Sequence, residues 1–82
     1  MKNLPSINED RSIAYNTAFY AHRKLKLEDP ERNSYEILDE VKINEYPFDE
    51  LKDNAKINNR RVKIWSETIK HLQQTLHRSP WV

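Results

Sequence analysis

Three histidines, His22, His71 and His77, are the only imidazoles in this 82-residue chain, which has no cysteine. Two ligands share one face of a helix when they lie three or four positions apart. His71 and His77 are six apart and miss that spacing, and no thiolate is available to join them. Glu36 with Glu40, and Asp39 with Glu40, are acids close enough in sequence to suggest general acid–base work. The simpler reading is the solvated face of a helix. Glycine is absent altogether. Phosphate-cradling loops, nucleophile elbows and dinucleotide fingerprints need it wherever the backbone turns sharply or approaches a ligand. The residues therefore point away from catalysis, and they imply no metal and no cofactor.

The segment KINNRRVKIWSE, residues 56–67, has a more suggestive spacing. Its Asn59-Arg60-Arg61-Val62-Lys63 repeats the Asn-Arg-Arg-x-Lys order found in a homeodomain recognition helix. Lys56, Lys63, Lys70 and His77 recur every seven residues, with Arg60 and Arg61 flanking them. Such a basic stripe is what phosphate binding requires, but affinity needs several phosphates neutralised by a domain that is basic overall. The net charge is only +1. The context also differs, because DNAKI precedes the motif and about twenty residues of patterned helix follow it. Nucleic-acid binding through Lys56, Arg60, Arg61, Lys63 and Lys70 is thus the secondary expectation.

Three helical stretches have to position these residues, and an all-α single domain over residues 1–82 is the fold they predict. Ser6 and Glu9 have capping-box spacing, with Pro5 just outside, which starts a helix over about 6–27. Ala14, Ala18, Ala21 and Leu25 line its apolar stripe, and Ile7, Tyr15, Phe19 and His22 widen it. Asp29 is placed to cap a second helix over 30–44, or from 34, with Pro30 in its first turn and Tyr35, Ile37, Leu38 and Val41 buried. Pro47 ends that helix, because the residue before a proline is pushed out of helical geometry.

The third stretch, about 48–79, has the most regular pattern. Phe48, Leu51, Ala55, Asn58, Val62, Trp65, Ile69, Leu72 and Leu76 alternate steps of three and four, which is a heptad seam with one polar member. Unbroken, this helix would be ~48 Å long at 1.5 Å per residue. A globule of this size has a radius of gyration of only ~12 Å. The pattern therefore predicts either a long helix engaged in a homo-oligomer or complex, or a break near 54–59 that gives a four-helix fold. Asn58 is a register-setting seam residue in the first case and an N-cap in the second.

Charge is unevenly placed. Residues 30–53 hold eight acids and three bases, and residues 54–82 hold six bases and one acid. The two blocks can neutralise each other as an antiparallel pair, within a protomer or between protomers. A chain this short buries only ~60–65% of its unfolded surface, so a partner would add stability. MKNLPSINEDR lacks the apolar stretch of a signal peptide, and no run approaches the ~18 apolar residues of a membrane span. A soluble, cytoplasmic protein is expected. Beyond Pro80, Trp81 and Val82 form an apolar tag that either folds back on the last turn or anchors a partner.

Taken whole, this Cys-free and Gly-free chain, from MKNLPSINEDRSIAYNTAFYAHRKL to LHRSPWV, resembles the RIII lysis-inhibition family of T-even bacteriophages. That resemblance implies a non-enzymatic accessory antiholin in the host cytoplasm. Such a protein binds the cytoplasmic part of the phage holin and delays lysis alongside a periplasmic antiholin. The resemblance carries over no binding residues. The contact candidates come from the pattern alone: Asn58, Val62, Trp65, Ile69, Leu72, Leu76 and Trp81.

Overall fold

The computed structural model describes residues 4–77, the side chain of His77 excepted. It is all-helical, with α1 at Ile7–Glu28, α2 at Ser34–Asn44 and α3 at Ala55–His77. Each helix packs against the other two. α2 returns antiparallel to α1, and α3 antiparallel to α2, as Gln73 reaching Tyr35 and Trp65 reaching Lys42 show. The result is an up-down-up three-helix bundle.

α1 starts as its sequence dictates. The Ser6 hydroxyl accepts from the Glu9 N–H and the Glu9 carboxylate accepts from the Ser6 N–H, each at 3.0 Å. These bonds satisfy two donors that a helix start leaves open. They also hold the Glu9 carboxyl below its ordinary range, through the Ser6 backbone bond first and its hydroxyl second. Ala14, Ala18 and Ala21 are buried and Leu25 is half-buried. Ile7, Tyr15 and Phe19 do not join them; they stay exposed beside the stripe, with the Tyr15 and Phe19 rings stacked at 6.1 Å. The alanines let the neighbouring helices come close, and a close neighbour covers only a narrow stripe.

Asp29 does not cap α2. It ends α1, donating its N–H to the Leu25 carbonyl, and residues 30–33 form the turn. Asn33 caps α2 instead, its side chain accepting from the Tyr35 N–H at 2.7 Å. Lys26 reaches across the turn to the Arg32 carbonyl. Ile37, Leu38 and Val41 are fully buried, whereas Tyr35 is exposed.

The long helix expected from Phe48 does not form, and neither does a fourth helix. Residues 45–54 connect α2 to α3 without helix, and α3 begins at Ala55. Asn54 takes the capping role, accepting from the Ile57 N–H at 3.2 Å. Asn58 is neither cap nor seam residue. Its amide oxygen accepts from the Leu51 N–H at 2.6 Å and its amide nitrogen donates to the Leu51 carbonyl at 2.7 Å. That two-way bond pins the connection to the first turn of α3. Phe48 then swings into the core, where Tyr46 packs edge-on to it and to Trp65.

The core gathers Ala14, Ala18 and Ala21 of α1, Ile37, Leu38 and Val41 of α2, and Ile64, Trp65, Ile69 and Leu72 of α3, with Phe48 closing one end. Trp65 satisfies its ring N–H on the Lys42 carbonyl at 2.9 Å. No helix among the described residues is long and apolar enough to cross a membrane.

Candidate functional site

The basic segment that suggested groove reading is largely turned inward. Asp10 sits on the same stripe as Ala14 and Ala18 and has no solvent exposure. A carboxylate buried this way must meet cations, since isolated burial of charge is prohibitive. Arg60 donates to Asp10 Oδ2 at 2.6 Å, and Arg61 Nε lies 3.3 Å from both carboxylate oxygens. Arg60 also reaches the Pro5 carbonyl at 2.8 Å and Arg61 the Asp49 carbonyl at 3.1 Å. The Arg61 guanidinium lies over the Phe48 ring, 4.9 Å from its centroid.

Four segments meet at this junction: the α1 entry, the first turns of α1, the connection, and the start of α3 with its two consecutive arginines. It locks the N-terminal ends of α1 and α3 together. Arg60 Nε is buried without an acceptor, so even here one donor goes unanswered. Of the basic stripe, Lys56, Lys63 and Lys70 remain exposed, while Arg60 and Arg61 are half-buried and paired with Asp10.

The seam residues divide in a similar way. Trp65, Ile69 and Leu72 are buried against the protein's own α1 and α2, and Leu76 packs on the rim of that core. Val62 is 54% exposed, although the heptad count placed it inside. Ile57 and Ile64, one step off the seam, are buried in its stead. The helix is thus rotated so that the Arg61 side of the seam faces inward. Trp81 lies outside the described residues.

The acidic and basic blocks do pack as antiparallel helices, yet no ion pair joins them among the described residues. The pairs there are Arg32 with Glu40 at 2.7 Å and the two arginines with Asp10. Glu40, helped by Glu36 and Asp29, raises the Arg32 guanidinium above its ordinary value. Asp39 instead accepts from the Gln73 amide at 2.7 Å. Neither Glu36 with Glu40 nor Asp39 with Glu40 therefore stands as an unoccupied acid pair.

His22 is buried where α1 meets α2, with Nε2 3.0 Å from the Ser34 hydroxyl. Burial, and then the charge of Lys26, push its pKa down. No group of three His, Asp or Glu side chains converges as metal ligands among the described residues. The surface hollows are open, and most lie between helices. One, of about 450 Å³, runs along α1 and α3 between Arg11, Lys56, Lys63 and Glu67.

Asp10 was missed by pattern reading, although a signal for it exists. It lies four residues before Ala14 and so extends the apolar stripe of α1 by one turn. An acid on such a stripe calls for a cation, and the only adjacent pair of arginines in the chain is at 60 and 61.

Comparison with protein-family models, with curated proteins and with solved structures finds no match to this chain.

Proposed function

We propose that this chain is a non-enzymatic regulator that works by binding another protein, and that its target is the cytoplasmic segment of a phage holin. The observation that supports a binding role is the outer surface. Tyr20, Leu27 and Ile43 are 71%, 73% and 79% exposed on helices whose inner faces are already packed. Large apolar side chains left outside a finished core offer area that a protein partner would cover favourably. The holin as target, action in the host cytoplasm and recruitment to the inner membrane through that partner all rest on the family resemblance. Nucleic-acid binding is the weaker reading, because Asp10 already holds two of the five cations it needs.

The test is affinity capture of the holin's soluble segment by the full chain at physiological salt. Capture that Tyr20→Ala with Ile43→Ala weakens, with helix content unchanged, is the expected result. No capture of that segment, alongside a salt-dependent shift of duplex DNA weakened by Lys63→Ala, would transfer the function to the rival reading.

A further inference from the structure

Two hollows between α1 and α3 share Arg11, Ile64 and Glu67, so they join into one groove. Along α3 it runs from Lys56 to His71, a rise of ~22 Å at ~1.5 Å per residue. Arg11 stands on its α1 wall, Lys56 and Lys63 on its α3 wall, and Ile7 and Ile64 supply apolar lining. None of these three cations forms an ion pair among the described residues. Farther along, Tyr15 lines the groove and is 46% exposed, with the Phe19 ring stacked on it. We propose that this groove binds an acidic amphipathic helix of a partner protein, laid along α1 and α3 as a fourth helix.

Charge complementarity carries the choice of occupant. Three unpaired cations line the groove against a single carboxylate, that of Glu67. Lys56 stands in the first turn of α3, which holds no acid. A helix dipole favours acids in that turn and disfavours cations. The buried Asp10 cluster shows that α1 and α3 begin at the same end of the bundle, so their positive ends lie side by side. The chain's own stability gains nothing from a lysine there, whereas the binding of an anionic partner does.

The shape calls for a helix. A helix pairs its own backbone groups, whereas an extended segment would leave many of them unpaired against side chains. Its apolar stripe would cover Ile7 and Tyr15. Lys56 and Lys63 are separated by ~10.5 Å along α3, the rise of seven helical residues. Acids seven residues apart on one flank of the partner helix therefore meet the two lysines, and an acid on the other flank meets Arg11. Nucleic acid fits less well. Single strands need rings to stack on, and the cation-lined half of the groove has none. A duplex takes a protruding helix into its major groove, whereas these cations line a recess.

Tyr20, Leu27 and Ile43 do not line this groove, so the proposal is independent of holin capture. The full chain should be panned against a displayed library of amphipathic helices of about 15 residues, enough to span the groove. Leucines are fixed on one stripe, and the flanking positions are drawn from Glu, Gln and Lys. Selected helices should be rich in Glu at flanking positions seven apart. Lys56→Glu with Lys63→Glu should weaken their binding by roughly 30-fold or more. The urea midpoint of that variant should hold or rise, because the first turn of α3 gains an acid. Tyr20→Ala with Ile43→Ala should leave the helices bound, and the charge-reversed chain should still capture the holin segment, so either reading can fail alone. A library that yields no binder, or binders without an excess of Glu, overturns the proposal. So do acidic helices that the charge-reversed chain holds equally well. A chain that selects no acidic helix but binds duplex DNA or phosphatidylglycerol vesicles through the same two lysines overturns it too, and gives the groove a phosphate ligand.

Discussion

Asp10 has no solvent to answer its charge, and the answer comes from arginines fifty and fifty-one positions away. Removing the carboxylate leaves two guanidinium groups side by side with a buried donor already unmet. Asp10→Ala should cost on the order of 3 kcal/mol in urea unfolding. Arg60→Ala should cost less, because Arg61 still pairs with the carboxylate and Arg60 is partly solvated. A reversed order would mean that the junction is held by packing and not by charge. His22 gives a second test at this scale. Its folded pKa is depressed, first by burial and then by Lys26, so the unfolded chain takes up the proton more readily. Its contribution is therefore complete above the unfolded value of about 6.5 and is lost as pH falls toward the folded pKa. The urea midpoint should decline on acidification from pH 7, and His22→Gln should flatten that decline. An equally steep fall in the variant would assign it to carboxylates.

At the scale of elements, most of the architecture was legible. The capping box at Ser6, the alanine stripe and the stop before Pro47 rest on local chemistry, and each is present as local chemistry required. The connection was not legible, because Phe48 and Leu51 continue the heptad count by position alone. Phe48 does bury, but from an extended segment, so the burial expected of it was right and the element was wrong. The rotation of α3 was hidden for a related reason. Counting apolar residues cannot register that a buried acid on another helix draws Arg61 inward and leaves Val62 outside. Asn58 shows what replaces the missing helix. Asn58→Ala removes both bonds to Leu51 and should cost about 1–2 kcal/mol. Limited proteolysis should then cut within residues 45–54 faster than in the parent chain, while the far-ultraviolet helix signal stays the same.

For the whole molecule, the core is small and every large member of it counts. A chain of this length has a stability of about 4–12 kcal/mol at ~0.05–0.15 kcal/mol per residue. Leu72 is 1% exposed at the centre of the bundle, and Leu72→Ala should cost about 2–5 kcal/mol. That is enough to leave the chain partly unfolded at 37 °C. A loss below 1 kcal/mol, measured by urea unfolding, would mean that the helices do not share one core.

The junction at Asp10 also orders events in time. α1 and α2 join through a short turn, but Asp10 meets its arginines only after a loop of about fifty residues has closed. Closing that loop costs entropy before any contact rewards it. The junction should therefore form on the native side of the folding barrier, with a φ-value near zero. Asp10→Ala would then quicken unfolding by nearly its whole stability loss and leave the refolding rate almost unchanged. In a chevron plot the unfolding arm would rise while the folding arm stayed in place. The ion cluster would thus act as a latch on a bundle that has already assembled.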